Sequence, residues 1–162
     1  MAKNSKGTGK NPLLMSKELS EIVNNALEDG SFYENVTPVT QDLLRFWFSP
    51  SFCDIRDINF HQGQKQAILN IIYAHEILKV NNVKDLYLST NPEILQKIDI
   101  EDLEKSKYQH PMYAVKMATG TGKTWVMHAL LIWQYLNATE NKDNDRFSRN
   151  FLLVAPGLIV YN

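Results

Sequence analysis

One short stretch of the sequence has residue types suited to binding a polyphosphate: Gly120-Thr121-Gly122-Lys123-Thr124. A cluster of negative charges needs backbone N–H groups turned toward it, and glycine permits that turn because no side chain obstructs the backbone. Lys123 supplies a mobile cation for the β- and γ-phosphates, and the Thr124 hydroxyl suits Mg²⁺. If a helix begins at this loop, its positively polarised N-terminus strengthens the attraction.

The common pattern for such loops is Gly-x-x-x-x-Gly-Lys-Ser/Thr, and Met117 stands where the pattern has its first Gly. The rest of the run still predicts an ATP–Mg²⁺ site, because it lies between an apolar segment and a helical pattern. A fortuitous glycine-rich turn is the alternative. The predicted phosphate-binding residues are Thr119, Gly120, Thr121, Gly122, Lys123 and Thr124, with Lys123 as the catalytic candidate and Thr124 as the magnesium ligand.

The segments around the loop predict an α/β fold. Residues 112–117 and 151–155 are short apolar runs typical of buried strands, and a helical pattern covers residues 123–136. A strand, a helix and a second strand in this order predict a βαβ unit with parallel strands. We therefore expect an incomplete P-loop nucleotide-binding lobe, preceded by a helical N-terminal segment.

The chain before the loop divides into a tail, a leader and the start of the lobe. Apolar periodicity predicts three helices, at residues 16–28, 40–48 and 61–79, with Ser16 capping the first. Asn91-Pro92 indicates a further helix start within a polar, irregular stretch that we interpret as an insertion. The predicted divisions are a flexible tail over residues 1–15, a helical leader over 16–59, and the nucleotide-binding lobe over 60–162 with its insertion at about 80–110.

Residues 117–124, Met-Ala-Thr-Gly-Thr-Gly-Lys-Thr, resemble motif I of superfamily-two helicases and translocases, above all that of the motor (Res) subunit of type III restriction enzymes. Two further segments follow the family order: residues 60–68 resemble its glutamine motif and residues 151–158 its motif Ia. Residues 39–48 are similar to the leader before the motor. The resemblance covers about residues 36–162 and implies a RecA-like lobe that uses ATP to move on DNA.

The glutamine motif implies a contact with the base of ATP. In the family this glutamine reads the adenine edge, which an amide can do because it both donates and accepts hydrogen bonds. The spacing to Ala67 favours Gln64, while Gln62 and Gln66 are competitors. A polar helix start is the plain alternative.

Motif Ia implies that Pro156 and Gly157 contact the nucleic-acid backbone without reading sequence. The family also implies a protein partner, either a methyltransferase or specificity subunit or the remainder of the motor. The chain contains no Asp-Glu pair, which a motor needs to assist Mg²⁺ and to orient water. No second lobe precedes the last residue, Asn162. We therefore expect an N-terminal fragment or split piece that binds ATP–Mg²⁺ without completing hydrolysis.

Two other functions are compatible with the loop. The first is a module that binds a partner chain through the unfinished edge of its sheet and needs no ATP. The second is a small P-loop phosphotransferase. Such an enzyme needs a lid with several arginines after the loop, and only Arg146 and Arg149 follow the loop here.

Composition sets broad limits. A chain of 162 residues with a net charge of −1 carries no global positive field, although a motor can bind nucleic acid in a local groove. The single cysteine, Cys53, excludes an intramolecular disulfide and favours a reducing compartment. No apolar run approaches the roughly 20 residues of a membrane span, and no signal-peptide pattern is present, so we predict a cytoplasmic protein without a membrane contact.

Overall fold

The structure is a computed structural model that describes residues 11–96 and 110–154. Within these two ranges every regular element is a helix. A π-helical turn (Tyr73–Ile77) continues the fifth α-helix. In chain order the α-helices are α1 (Asn11–Glu28), α2 (Ser31–Glu34), α3 (Pro38–Phe48), α4 (Pro50–Cys53), α5 (Gln62–Ile72), α6 (Val83–Thr90), α7 (Pro92–Leu95) and α8 (Lys123–Glu140).

The predicted βαβ unit with parallel strands, and with it the α/β RecA-like lobe, is wrong for the described residues. Residues 111–118 and 151–154 form no strand there. Leu152 is 88% exposed and Val154 is 85% exposed, so the second apolar run is not part of a buried sheet. A strand needs a neighbour for its backbone N–H and C=O groups, and an apolar run in the sequence cannot reveal whether one is present. The described fold is helical.

The two helices predicted for the leader are present as α1 and α3 with shifted ends, whereas α2 and α4 were not predicted. α1 begins at Asn11, so Ser16 lies inside the helix and the prediction that it caps α1 is wrong. Residues 11–15, which the prediction assigns to the tail, belong to α1, and residues 1–10 lie outside the described ranges. α3 begins at Pro38, before the predicted start, because the Thr37 hydroxyl caps it by accepting the Thr40 N–H. Proline at the first helical position needs no N–H partner.

Two further boundaries depend on local hydrogen bonds. The predicted helix over residues 61–79 runs as α5 and then as the π-helical turn, closed by the bond from Leu78 N–H to Tyr73 O at 2.9 Å. α7 begins at Pro92 as predicted, since the Asn91 side chain accepts the Glu93 N–H at 3.1 Å. No helix in the described ranges has both the length and the apolar character of a membrane span.

The core forms where α8 packs against α3 and α5. Trp133 of α8 is only 1% exposed and belongs to the same buried cluster as Leu44 and Trp47 of α3 and Ile68 and Ile72 of α5. Burial of each such side chain contributes about 1.5–3 kcal/mol of transfer free energy. The leader helices therefore share one core with the helix that follows the predicted phosphate-binding loop.

A buried network of hydrogen bonds links the elements of this core. The carboxyl group of Glu76, in the π-helical turn, accepts hydrogen bonds from the Thr37 N–H at 2.8 Å, the Thr40 hydroxyl at 2.5 Å and the Trp133 indole N–H at 2.7 Å. Asn137 extends the network, because its amide donates to the Thr40 hydroxyl at 3.1 Å. The network joins the start of α3, the π-helical turn and the middle of α8.

A second set of hydrogen bonds joins the connecting segment after α8 to the π-helical turn. His75 is buried, and its Nε2 donates to Arg146 O at 2.7 Å. The Arg146 guanidinium returns two bonds to His75 O, at 3.1 and 2.8 Å. The His75 ring also packs edge-on against Trp133, with centroids 5.1 Å apart. Burial lowers the pKa of His75, the nearby Arg146 charge lowers it further, and the bond to Arg146 O opposes both effects.

The buried network predicts a large stability effect at Glu76. Glu76→Leu removes the acceptor that three donors share, of which the Trp133 indole N–H keeps a second acceptor in the Thr40 hydroxyl at 3.0 Å, so we expect a loss of roughly 3 kcal/mol in the free energy of unfolding. Urea denaturation measures this loss. Glu28→Leu, at an exposed position of α1, serves as the control and should stay within about 0.5 kcal/mol of the wild type. Equal stabilities of the two variants would contradict the network's role.

The environment of His75 predicts a pH-dependent stability. The folded protein disfavours the charged imidazole. The stability that the neutral imidazole contributes is therefore complete above the ordinary pKa of 6.5, and it is lost as the pH falls through the lower pKa that His75 has in the folded state. Tyr113 and Arg146 are the other titratable groups that face the ring. Urea denaturation at about pH 7.5 and about pH 5.5 should show a larger loss for the wild type than for His75→Gln. A loss of the same size in both proteins would assign the pH dependence to other groups.

Candidate phosphate-binding site

The predicted phosphate-binding residues 119–124, termed the phosphate loop, turn between an irregular segment and α8. Gly120 has a φ of +77° and Gly122 a φ of +72°, both in the left-handed region that favours glycine. α8 begins at Lys123, as the sequence predicts, with Gly122 as its N-cap residue. The first N–H groups of a helix lack partners within it, so the loop lies at a helix end that attracts anions.

The loop closes on itself through Ala118. Lys123 Nζ donates to Ala118 O at 2.8 Å, and the Thr121 hydroxyl donates to the same oxygen at 2.7 Å. The Lys123 ammonium is thus folded back across the loop. The side chains of Thr119 and Thr124 are exposed, and Thr124 lies in the first turn of α8. The structure therefore keeps all six predicted residues on one short, accessible turn.

Gln64 is the glutamine that the structure brings to the phosphate loop. It is only 6% exposed, and its Nε2 donates to Thr121 O at 3.1 Å and to Gly122 O at 3.3 Å. The two competitors lie elsewhere: Gln62 is exposed, and Gln66 bonds to Asn70 within α5. The other amide atom of Gln64 is also occupied, because its Oε1 accepts the His61 N–H at 3.0 Å.

His61 is a site residue that the sequence did not single out, since it has no partner at a recognisable spacing. In the structure its Nε2 lies 3.0 Å from Thr121 O. Its Nδ1 accepts the N–H groups of Gly63 and Gln64, at 3.1 and 3.4 Å, and so caps α5. The spacing of His61 and Gln64 matches that of a capping box, a signal that predicts the cap but not the contact with the loop.

A cleft of about 820 Å³ opens beside Gln64 and the phosphate loop. Phe46 of α3, Phe60 before α5 and Trp125 of α8 contribute aromatic rings to its wall. Trp125 is 54% exposed, so its indole is accessible from the cleft. The volume is in the range of roughly 300–1,000 Å³ found for small-molecule sites, whose walls are mainly apolar with a few placed polar groups.

The predicted DNA-contacting residues Pro156 and Gly157 lie outside the described ranges, and their role stays a prediction. Within the described ranges no group of three or more His, Cys, Asp or Glu side chains is arranged to hold a metal ion. The predicted magnesium contact therefore rests on the Thr124 hydroxyl.

A family model described as type III restriction enzyme, res subunit, matches residues 57–162. The match covers more than half of the 162 residues and includes α5, the phosphate loop and α8. Residues 39–48, which are similar to the family's leader, precede the matched range. No curated protein and no solved structure matches the chain significantly.

The surroundings of the two loop glycines predict that alanine is tolerated better at one of them than at the other. Both have positive φ, so alanine at either should cost about 1–2 kcal/mol of stability through backbone strain. A Cβ on Gly120 meets open space, whereas a Cβ on Gly122 overlaps Gln64 Nε2 and displaces it from the loop. Urea denaturation should therefore show a clearly larger loss for Gly122→Ala than for Gly120→Ala. Equal losses would contradict the close packing of Gln64 on the loop.

Proposed function

This chain belongs to the family of type III restriction enzyme res subunits, and from that premise we propose that its phosphate loop binds ATP with Mg²⁺ as part of a helicase-like motor acting on DNA. The family match supports the helicase and restriction-enzyme lineage. The choice of ligand rests on the chemistry of the loop.

One observation carries the proposal: the loop places two positive-φ glycines and a lysine ammonium together at the N-terminus of an eighteen-residue helix. The helix end offers N–H groups and a partial positive charge to an anion, and Lys123 adds a full charge. The open space at Gly120 leaves room for close approach to the backbone. A compact polyanion suits this arrangement better than any neutral ligand.

Within this proposal each residue has a distinct role. Lys123 exchanges its bond to Ala118 O for the β- and γ-phosphates, and the Thr124 hydroxyl ligates Mg²⁺, which neutralises phosphate charge when bound. The nucleoside occupies the 820 Å³ cleft beside the loop. Both amide atoms of Gln64 are bonded within the protein, so reading the adenine edge requires Gln64 to give up one of those bonds. The role of Pro156 and Gly157 on the DNA backbone completes the proposal.

An exposed apolar surface favours a second candidate, a protein-binding module that needs no ATP. Ile132, Tyr135 and Leu136 are exposed and share one face of α8, since they are three and four residues apart. Contiguous exposed apolar side chains mark contact sites for other proteins. The partner in this proposal is the methyltransferase or specificity subunit, or another part of the motor.

The nucleotide proposal is tested by titrating the protein with ATP in the presence of Mg²⁺ in a calorimeter. Lys123→Ala should weaken binding at least about 10-fold, because it removes a charge-assisted contact. Lys142→Ala, which removes an exposed lysine from the connection after α8, should bind like the wild type. Thr124→Ala should remove most of the benefit of Mg²⁺, and Thr139→Ala, at an exposed position of the same helix, should keep it.

Failure of the wild type to bind ATP–Mg²⁺, or equal affinity of Lys123→Ala, would contradict the proposal. The second candidate predicts that Lys123→Ala retains binding to a purified methyltransferase subunit while Tyr135→Asp, on the exposed face of α8 and outside the lining of the cleft, loses it. The two variants therefore separate the two functions.

A further inference from the structure

The contact between the N-terminus of α5 and the phosphate loop has no assigned function. His61 Nε2 lies 3.0 Å from Thr121 O, and Gln64 Nε2 lies 3.1 Å from the same oxygen. Both donors come from a capping box at the start of α5. The contact spans about sixty positions of sequence, so it is a tertiary link between two elements of the site and not a local turn.

The hydrogen bonds assign the tautomer of His61. Its Nδ1 accepts the Gly63 and Gln64 N–H groups, at 3.1 and 3.4 Å, and therefore carries no hydrogen. The hydrogen must then be on Nε2, which donates it to Thr121 O. One imidazole thus caps α5 with one nitrogen and holds the loop with the other.

The contact determines how one peptide of the loop is oriented. A peptide unit is planar and trans, so its C=O and N–H point in opposite directions. Since Thr121 O is turned toward α5, the Gly122 N–H of the same peptide is turned away from α5. Glycine on either side of Thr121 leaves this peptide free to rotate unless something holds it.

The next peptide does not depend on α5 in the same way. Gly122 O accepts the Trp125 N–H at 3.0 Å, so α8 itself holds that unit. In the described part of the chain, the hydrogen bonds to Thr121 O come from His61 and Gln64. The orientation of the Thr121–Gly122 peptide is therefore set from α5.

We propose that His61 is a positioning residue: it holds the Thr121–Gly122 peptide so that the Gly122 N–H is directed at the phosphates before the ligand arrives. The inference rests on the proposed nucleotide binding and adds the residue that prepares the loop for it. A donor that is already in place needs no reordering when the ligand binds. Loss of the residue that holds this donor therefore weakens affinity without removing any direct ligand contact.

His61→Ser separates the two roles of the imidazole. Serine is a good N-cap, and with Gln64 three residues later it restores the capping box. Its side chain is too short to reach Thr121 O as well. We expect a melting temperature close to that of the wild type, a roughly 3- to 10-fold larger dissociation constant for ATP–Mg²⁺, and amide hydrogen exchange at residues 119–123 that is faster by a similar factor without nucleotide.

Asn82→Ala is the matched control. It removes the side chain that caps α6 by accepting the Asp85 N–H at 2.9 Å, and among the described residues no hydrogen bond joins Asn82 to the phosphate loop. It should lower the melting temperature while leaving the affinity for ATP–Mg²⁺ and exchange in the loop unchanged.

Unchanged affinity and exchange in His61→Ser would overturn the inference. Equal weakening by Asn82→Ala would also overturn it, because the effect would then be general destabilisation. If the wild type fails to bind ATP–Mg²⁺, the proposed function is wrong, yet the exchange measurement still decides the role of His61. Faster loop exchange in His61→Ser then supports positioning, and unchanged exchange refutes it.

Discussion

The fold depends on one carboxyl group that has been removed from water, that of Glu76. Burying such a group without partners costs several kcal/mol, so its three donors have to come together with it. Two of these donors, Thr37 and Thr40, lie at the start of α3, and the third, Trp133, lies in α8, so both sets are distant from Glu76 in sequence. The leader and α8 are consequently joined at a polar point inside an otherwise apolar core. A purely apolar contact would permit more sliding between the helices than this set of directed bonds does.

α5 and its π-helical turn connect this polar point with the phosphate loop. At one end, Gln64 and His61 bond to the loop just ahead of α8, and at the other end Glu76 bonds to Trp133 within α8. Lys123 and Trp133 are ten residues apart, about 15 Å along a helix axis. α8 is therefore held at two separated points by the same neighbouring segment. This double attachment sets the direction of the helix N-terminus, and with it the placement of the loop.

The sequence was informative where the structure depends on local chemistry. Apolar spacing located α3, α5 and α8, and the glycines and Lys123 marked the start of α8 correctly. It failed where partners are distant. An apolar run at residues 151–154 has the same composition whether or not another strand lies beside it. Likewise, nothing in the sequence indicates that the imidazole of His61 contacts the backbone carbonyl of Thr121. The choice of Gln64 over its neighbours came from family spacing and not from periodicity.

The π-helical turn makes this region sensitive to chain length. A π turn holds one more residue than an α turn, and each α-helical residue advances the side chains by about 100°. Deleting one residue from Tyr73–Ile77 would let the turn close as an ordinary α-helix, which keeps the chain before and after the turn nearly in phase but shifts the side chains within the turn. His75 and Glu76 could then no longer both face α8. Substitutions in this turn act on single contacts, whereas a one-residue deletion would move His75 and Glu76 together and would separate Glu76 from its donors on α3 and α8.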